Sequence, residues 1–167
     1  MQDEHPLLTW APRLRRYARA LVGNRDDADD LVQDTLERAW TKSGLWHGVA
    51  DMRAWLFSLM HNLHVDGVRR GRLQTAPLDH DTPEIATPPR QQEQLAVMDL
   101  QAALDQLPQE QKEILLLVAL EDMAYADIAA TLGIPLGTVM SRLSRGRERL
   151  RAVMEGRAAP TRLKIVK

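Results

Sequence analysis

The sequence predicts an all-α fold of two small helical domains that are joined by a proline-rich linker. Apolar residues recur at intervals of three and four along most of the chain, which is the spacing of one face of an α-helix. No stretch shows the two-residue alternation of a β-strand, and no Asn-Gly hairpin dipeptide occurs. Residues 73–94 interrupt the helical pattern with four prolines and few apolar side chains, a composition typical of extended linkers.

Three helices are predicted before the linker, in a domain over residues 1–72 that forms a bundle of three to four helices. The pair Gly23-Asn24 separates the first helix from the second, because glycine and asparagine both favour helix termini. We expect Trp40 and Trp55 to lie in the core of this bundle. The expected helices are about Pro6–Val22, Asp26–Trp40 and Met52–Arg70.

Four more helices are predicted after the linker, in a second domain over residues 95–155 that a basic tail over residues 156–167 follows. Pro108 suits the first turn of a helix, where the N–H that proline lacks would have no partner. The expected helices are about Leu95–Leu107, Gln109–Leu120, Tyr125–Leu132 and Pro135–Met154.

The last two of these helices are predicted to form a helix-turn-helix. Gly133 lies where a helix C-terminus often needs a left-handed residue, and Pro135 suits the start of the next helix. At about 100° per residue, serine, threonine and arginine side chains face away from the apolar stripe of the final helix. Small polar side chains let a helix enter a major groove about 12 Å wide, and arginine can pair with guanine through two hydrogen bonds. This face therefore predicts binding to duplex DNA. The apolar stripe comprises Val139, Leu143, Gly146 and Leu150.

Charge is distributed unevenly along the chain, although the formal net charge is only -1. The formal balance is +1 over residues 1–75, -8 over residues 76–125 and +6 over residues 126–167. The basic C-terminal region is suited to a polyanion, whereas the acidic middle is expected to repel DNA.

Composition and motifs exclude several other classes of protein. No cysteine occurs, which rules out disulfides and thiolate metal sites and fits a reducing cytoplasm. No apolar run is long enough to span a bilayer, and the N-terminus lacks the pattern of a secretory signal, so no membrane insertion is expected. No phosphate-binding glycine loop, zinc-protease motif or nucleophile elbow is present. The sequence thus predicts a binding protein rather than an enzyme, and no cofactor.

No metal site is predicted either. His61 and His64 are three residues apart on a predicted helix, a spacing that can hold a metal ion. Two histidines without a third ligand nearby are weak evidence for such a site.

Three segments of the chain resemble the extracytoplasmic-function (ECF) family of RNA polymerase sigma factors. Two segments of this chain, "RYARALVGNRDDADDLVQDTLERAW" and the later "RAWLFSLMHNLHVDGVRR", resemble the N-terminal domain of that family. The third segment, "LDQLPQEQKEILLLVALEDMAYADIAATLGIPLGTVMSRLSRGRERLR", resembles the C-terminal domain of the family. The resemblance implies a subunit of bacterial RNA polymerase that directs promoter-specific initiation. The C-terminal domain would bind the upstream (−35) element as duplex, and the N-terminal domain would bind the (−10) element as a melted strand.

The resemblance also implies three sets of contact residues. In the recognition helix, Met140 stands where a basic residue is common in the family. The −35 element would be contacted by Thr138, Met140, Ser141, Arg142, Ser144 and Arg145. The −10 element would be contacted by the loop and helix residues Trp46, His47, Asn62, Asp66, Arg69 and Arg70. The clamp helices of the polymerase would dock on Asp30, Gln33, Asp34, Glu37 and Arg38, a face with a net charge of -2.

The run "ILLLVAL" over Ile114–Leu120 leaves its helix without a polar side. Either this helix is central in its domain, or its outer side receives a partner. For the second case, the resemblance suggests the polymerase flap or an anti-sigma factor that holds the protein inactive. Leu117→Glu would then weaken partner binding and leave the domain folded.

A free-standing helix-turn-helix repressor or activator is the rival hypothesis. Such a protein would bind a duplex operator by itself, whereas a sigma factor is expected to need core polymerase. A gel shift with the isolated chain separates the two.

Overall fold

The computed structural model describes residues 6–42, 49–74 and 92–156, and every regular element in these ranges is a helix. A short 3-10 helix over Leu8–Trp10 precedes the α-helices. In chain order these are α1 Ala11–Val22, α2 Arg25–Thr41, α3 Met52–Gln74, α4 Gln92–Asp105, α5 Gln109–Glu121, α6 Tyr125–Leu132 and α7 Leu136–Met154. None of the described helices is both long and apolar enough to cross a membrane.

The predicted all-α class is confirmed, and most helix boundaries lie within a few residues of the expected ones. The larger differences are at the start of α1, which begins at Ala11 and not at Pro6, and beside the predicted linker, where α3 continues to Gln74 and α4 already begins at Gln92. The rest of the linker, residues 75–91, lies outside the described residues, as do residues 157–167 of the predicted tail. The extended state of the linker therefore stays a prediction.

Gly23 and Asn24 together form the corner between α1 and α2. Gly23 adopts a left-handed conformation (φ 76°), and its N–H donates to the carbonyl oxygen of Arg19 at 3.0 Å. The side-chain oxygen of Asn24 accepts hydrogen bonds from the N–H groups of Asp26 and Asp27 at 2.9 and 3.3 Å. These bonds satisfy two of the N–H groups that the start of a helix leaves without intrahelical partners. The corner thus turns α2 back along α1.

Helices α1, α2 and α3 form the first helical unit, in which α2 packs against both of its neighbours. Leu14, Leu56 and Met60 are completely buried at its centre. The rings of Tyr17 and Phe57 meet edge to face, with their centroids 5.0 Å apart. Such a geometry places the positive edge of one ring on the negative face of the other.

Trp40 does not lie in the core of this unit, so that prediction is wrong. Its side chain is 58% exposed, whereas Ala39 beside it is completely buried. Consecutive residues of a helix point about 100° apart, and the turn that buries Ala39 directs Trp40 away from α1 and α3. Trp55 is half-buried and packs against the edge of the core.

The second unit is built around α5, which contacts α6 and α7. Ile114 and Leu117 of α5 are at most 1% exposed, as are Ile128 of α6 and Val139 of α7. The apolar run therefore belongs to a central helix, the first of the two alternatives. Leu117→Glu would place a charge inside the core, so this substitution cannot separate partner binding from folding.

The two units also pack against each other, with α1 on α5 and α3 on α6. One hydrophobic cluster runs without interruption from Leu14 of α1 through Ile114 of α5 to Leu143 of α7. The first unit of the same chain therefore covers a side of α5 that its own unit leaves open. The structure is closed, whereas a linker of this length would also allow the units to lie far apart.

Gly146 lets α7 approach α5 closely, because a Cβ there would lie 3.1 Å from Leu115 Cδ1 and 3.3 Å from Gln111 Cβ. We expect Gly146→Ala to lower the free energy of unfolding by about 1 kcal/mol. Overpacking costs about 1–3 kcal/mol, which exceeds the ~1 kcal/mol that alanine gains over glycine in a helix.

Gly67→Ala in α3 is the matched control, since no atom lies within 4 Å of its added Cβ. This control should raise the free energy of unfolding by about 0.5–1 kcal/mol. Urea denaturation followed by circular dichroism measures both variants. An increase in stability for Gly146→Ala would show that the crossing of α5 and α7 tolerates a methyl group.

Candidate nucleic-acid interface

The turn between α6 and α7 has the geometry that the sequence predicts. Gly133 is left-handed (φ 66°), and the next N–H, that of Ile134, donates to the carbonyl oxygen of Ala129 at 3.1 Å. Pro135 caps α7, where its carbonyl oxygen accepts a hydrogen bond from the N–H of Val139 at 3.2 Å. These contacts fix the angle at which α7 leaves α6.

The predicted apolar stripe of α7 faces the core. Val139, Leu143 and Gly146 are buried and Leu150 is half-buried. The opposite side is open to solvent and carries hydroxyl and guanidinium groups. A helix that presents short side chains between arginines can approach a polyanionic groove closely without losing charge complementarity.

The six residues predicted to contact the −35 element are not equally accessible. Met140, Ser144 and Arg145 are exposed. The others, Thr138, Ser141 and Arg142, are half-buried. Ser141 donates a hydrogen bond to the carbonyl oxygen of Thr138 at 3.2 Å, so its hydroxyl retains acceptor capacity for a ligand.

Met140 borders a groove of about 510 Å³ that also has Tyr125 of α6 and Arg147 of α7 in its wall. Its side chain is 54% exposed, although it is apolar. A thioether at this position can contact the methyl group of a thymine but cannot bind a phosphate.

Arg142 lies on the other flank of α7 and faces the first unit. It lines a groove of about 320 Å³ together with Arg69 of α3, and Val65 and Val68 form part of the apolar wall. Two arginines that were assigned to different DNA elements thus border the same groove.

The residues of α3 predicted to hold the −10 element lie along one exposed side of that helix. Asn62, Asp66, Arg69 and Arg70 follow one another at intervals of four, three and one, and all are exposed. The remaining candidates, Trp46 and His47, lie outside the described residues.

The predicted polymerase-docking face of α2 is fully exposed. Its residues are Asp30, Gln33, Asp34, Glu37 and Arg38. Gln33 Nε2 donates to Glu37 Oε1 at 3.1 Å across one helical turn. A groove of about 290 Å³ joins Glu37 and Arg38 to Arg70 of α3. The structure therefore places the predicted docking face next to Arg70, one of the residues predicted to hold the melted strand.

Sequence reasoning missed a polar cluster at the C-terminal end of α5, which we call the arginine clamp. It consists of Glu121 and three arginines of the first unit, Arg13, Arg16 and Arg53. The carboxylate of Glu121 is completely buried; Arg13 Nη2 donates to its Oε2 at 2.5 Å, and Arg16 Nη2 lies 3.7 Å from its Oε1. Arg53 Nη1 donates to the backbone oxygen of Glu121 at 2.9 Å, and Arg16 Nη2 donates to that of Leu120 at 2.7 Å.

The arginine clamp serves both the end of α5 and the buried carboxylate, although Oε1 of Glu121 has only the guanidinium of Arg16 nearby and accepts no hydrogen bond. The last carbonyl groups of a helix have no intrahelical partners and carry the negative end of the helix dipole. A buried carboxylate also needs a cation and hydrogen bonds. The available signal was a glutamate directly after seven apolar residues, because an acid at the end of a helix that is buried on all sides must find a partner.

His61 and His64 form a second polar contact between the units. His61 Nδ1 lies 2.5 Å from Oε1 of the buried Glu113 of α5, and Gln109 Nε2 donates to His64 Nε2 at 2.7 Å. Burial lowers the pKa of His64, although the negative charge of Glu113 opposes this effect. Among the described residues, no group of three or more acidic or histidine side chains is placed to hold a metal ion.

Tyr17 of α1 lies at the same boundary, buried and close to both acidic groups of α5. Burial, and next the charges of Glu113 and Glu121, raise the pKa of its phenol well above the ordinary value. The two glutamates are eight residues apart, close to two helical turns, and therefore lie on the same side of α5. This side of the helix is the one that meets the first unit.

Two family models match the chain, one for each unit. The model described as the Sigma2 domain of PhyR matches residues 8–61, and the model described as Sigma-70, region 4, matches residues 98–150. The first match extends from the 3-10 helix into α3, and the second extends from α4 to α7.

Curated relatives and solved structures agree with these matches. The ECF RNA polymerase sigma factor EcfG of Rhodopseudomonas palustris is 38% identical over 149 residues, covering 89% of this chain and 82% of the relative. The ECF RNA polymerase sigma factor SigL of Mycobacterium tuberculosis is 34% identical over 159 residues, covering 93% and 87%.

Among solved structures, the sigma factor RpoE of Bartonella quintana in complex with the anti-sigma factor NepR superimposes with a TM-score of 0.73 and 37% identity, covering 89% of this chain and 94% of that one. CnrH in complex with the cytosolic domain of CnrY gives 0.67 and 25%, covering 91% and 86%. Since both units match in the same order and the identity extends over most of the chain, this protein belongs to the ECF family of RNA polymerase sigma factors.

Proposed function

We propose that this chain binds core RNA polymerase and directs it to promoters, reading the −35 element as duplex and the −10 element as a melted strand. The domains would be residues 1–72 and 95–155, connected by the linker over residues 73–94. The observation that carries the proposal is the solvent-facing side of α7, where Ser144 and Arg145 project from a helix anchored by Val139 and Leu143. A helix supported in this way can enter the major groove as a rigid body.

At the −10 element, the exposed side of α3 would supply the contacts. The amide of Asn62 has both a donor and an acceptor, which can read one base edge. Arg69 and Arg70 would neutralise backbone phosphates on the same strand. The loop residues Trp46 and His47 would offer a stacking surface to an unpaired base.

On the polymerase side, the exposed face of α2 would dock on the clamp helices. Its net charge of -2 suits a basic partner helix, and such complementarity mainly accelerates association and fixes the orientation. We further propose that an anti-sigma factor holds the chain inactive, since the similar RpoE structure is a complex with an anti-sigma factor.

Transcription from a defined promoter tests the proposed function directly. Core polymerase with this chain should start at a fixed distance from the −10 element and make its unpaired thymines reactive to permanganate. The isolated chain should do neither, because it contains no polymerase. Tight, sequence-specific binding of the isolated chain to duplex DNA, with no stimulation of core polymerase, would instead identify a repressor.

Arg145→Ala should weaken binding of the polymerase complex to the −35 element by about 1–3 kcal/mol, the amount typical of one arginine that reads a base. The loss should appear on promoters that carry the element and vanish when it is scrambled. Arg19→Ala removes the same charge from an exposed position of α1 and should leave the affinity unchanged. Equal losses on both promoters would assign Arg145 to a phosphate.

Asp34→Lys combined with Glu37→Lys should lower the affinity for core polymerase at least about ten-fold, or ~1.4 kcal/mol. The reason is that lysines on α2 would then face the basic clamp helix of the polymerase and repel it. Asp99→Lys, in the exposed part of α4, is the control with the same kind of charge reversal. Fluorescence anisotropy of labelled chain titrated with core polymerase measures the difference. An unchanged affinity would remove α2 from the polymerase interface.

A further inference from the structure

The solvent-facing side of α7 carries two large apolar side chains at the end that would enter a major groove. Leu136 is 47% exposed and Met140 is 54% exposed. They lie four residues apart, on neighbouring turns of one side of the helix, and both are among its first five residues. Exposed apolar side chains need no explanation when they are scattered singly, whereas an adjacent pair within a proposed binding face points to an apolar ligand group.

We propose that Leu136 and Met140 form an apolar patch that reads the 5-methyl group of a thymine in the −35 element. The inference rests on the proposed function, because it requires α7 to lie in the major groove of that element. Leu136 is not among the contacts that the family resemblance implies, and Met140 replaces the basic residue that is common at its position.

The chemistry of the major groove selects this ligand group. Among the base edges exposed there, only thymine presents an apolar group, its C5 methyl, whereas the other groups donate or accept hydrogen bonds. The side chains of Leu136 and Met140 have no hydrogen-bond donor and no charge, so they cannot reward a guanine edge or a phosphate. The N-terminal residues of a recognition helix are those that contact base edges. The apolar patch therefore lies where a methyl group would be reached.

The groove beside Met140 supplies positive charge that would hold DNA against the apolar patch. Its volume is about 510 Å³, and its wall includes Tyr125 at the start of α6. The same wall contains Arg147 and Arg151, both exposed, against one acid, Glu148, among the described residues that line it. Because these arginines lie in the second half of α7, they suit backbone phosphates rather than base edges.

A protein partner is the other ligand that an apolar patch could bind, and the neighbouring residues favour nucleic acid. Gly137 and Ser144 lie one turn before and one turn after Met140, and both are exposed. A Cβ on Gly137 would meet no atom within 4 Å, so the space beside the thioether is open. Short side chains around a single long one let the helix backbone come close to a base pair, as entry into a major groove requires.

Replacing thymine by deoxyuridine tests the proposal, because it removes one methyl group and keeps every hydrogen bond of the base pair. A promoter is first selected from duplexes with a random −35 element by the full-length chain with core polymerase. Each thymine of the selected element, on either strand, is then replaced in turn, and affinity is measured by competition. Replacement at one position, or at two adjacent ones, should weaken binding about four-fold, equivalent to ~0.8 kcal/mol for one methyl-sized group removed from water.

Met140→Ala is the decisive variant, since a protein without the thioether loses nothing when the methyl group is absent. Its ratio of affinities for the thymine and deoxyuridine promoters should fall from about four to about one. Leu136→Ala should lower the ratio part of the way. Both residues are exposed, so the variants should keep the native circular dichroism. Met154→Ala is the matched control, because Met154 is 50% exposed on the same helix, about four turns beyond Met140, and the ratio should stay unchanged.

Equal affinities for thymine and deoxyuridine at every position would overturn the proposal, as would a selected element that has no A·T pair. A ratio that survives Met140→Ala would assign the methyl contact to another residue. A ratio of one, together with weaker binding of Met140→Ala to core polymerase without DNA, would make the apolar patch a protein contact. In all these cases tighter binding to the selected element than to a scrambled one would leave the proposed function in place, whereas equal binding to the two would contradict both.

Discussion

Helix α5 is buried along most of its length, from Lys112 to Leu117 and again at Glu121, and its two buried glutamates determine what can pack beside them. A carboxylate inside a protein must be paired with a cation and hydrogen-bonded, or the fold loses more free energy than the surrounding apolar contacts supply. Glu121 is buried against the guanidinium of Arg13 on α1, and Glu113 is buried with its Oε1 2.5 Å from Nδ1 of His61 on α3. The apolar side chains between them could pack against many surfaces, whereas the two acids require a surface that presents polar partners at the right spacing.

This constraint orders the rest of the molecule. Once α1 and α3 are held on α5, Arg69 on the exposed side of α3 comes to lie near Arg142 on one flank of α7, and the face of α2 proposed to dock polymerase is left facing solvent. The faces proposed to bind nucleic acid and polymerase are thus positioned by a contact that includes none of their residues. Both units pack on α5, so this helix determines how the proposed binding faces lie relative to each other.

Much of this architecture could be predicted from the sequence, because it depends on local patterns. The apolar stripe of α7, the glycine turn before it and the acidic face of α2 all follow from residues a few positions apart. The prediction for Trp40 is wrong because Ala39, the neighbouring residue of the helix, already occupies the buried direction. The periodicity of α2 alone would have given the right answer.

The closed packing could not be predicted, because it depends on side chains that are distant in sequence and that could equally well be solvated or lie at an interface. Arg13 and Glu121 are 108 positions apart, and no local pattern links them. An arginine on a helix is most often solvated, and its aliphatic stem lets it serve equally well at the edge of an interface. The residues 75–91, on which the distance between the units depends, lie outside the described structure.

The hydrophobic cluster that continues from α1 through α5 to α7 makes the contact between the two units depend on temperature. Parting the units wets apolar surface, and hydration of such surface carries a positive heat capacity. Apolar burial weakens on cooling, so a chilled chain would open more readily than a warm one. Temperature would thereby change how firmly the two units hold together.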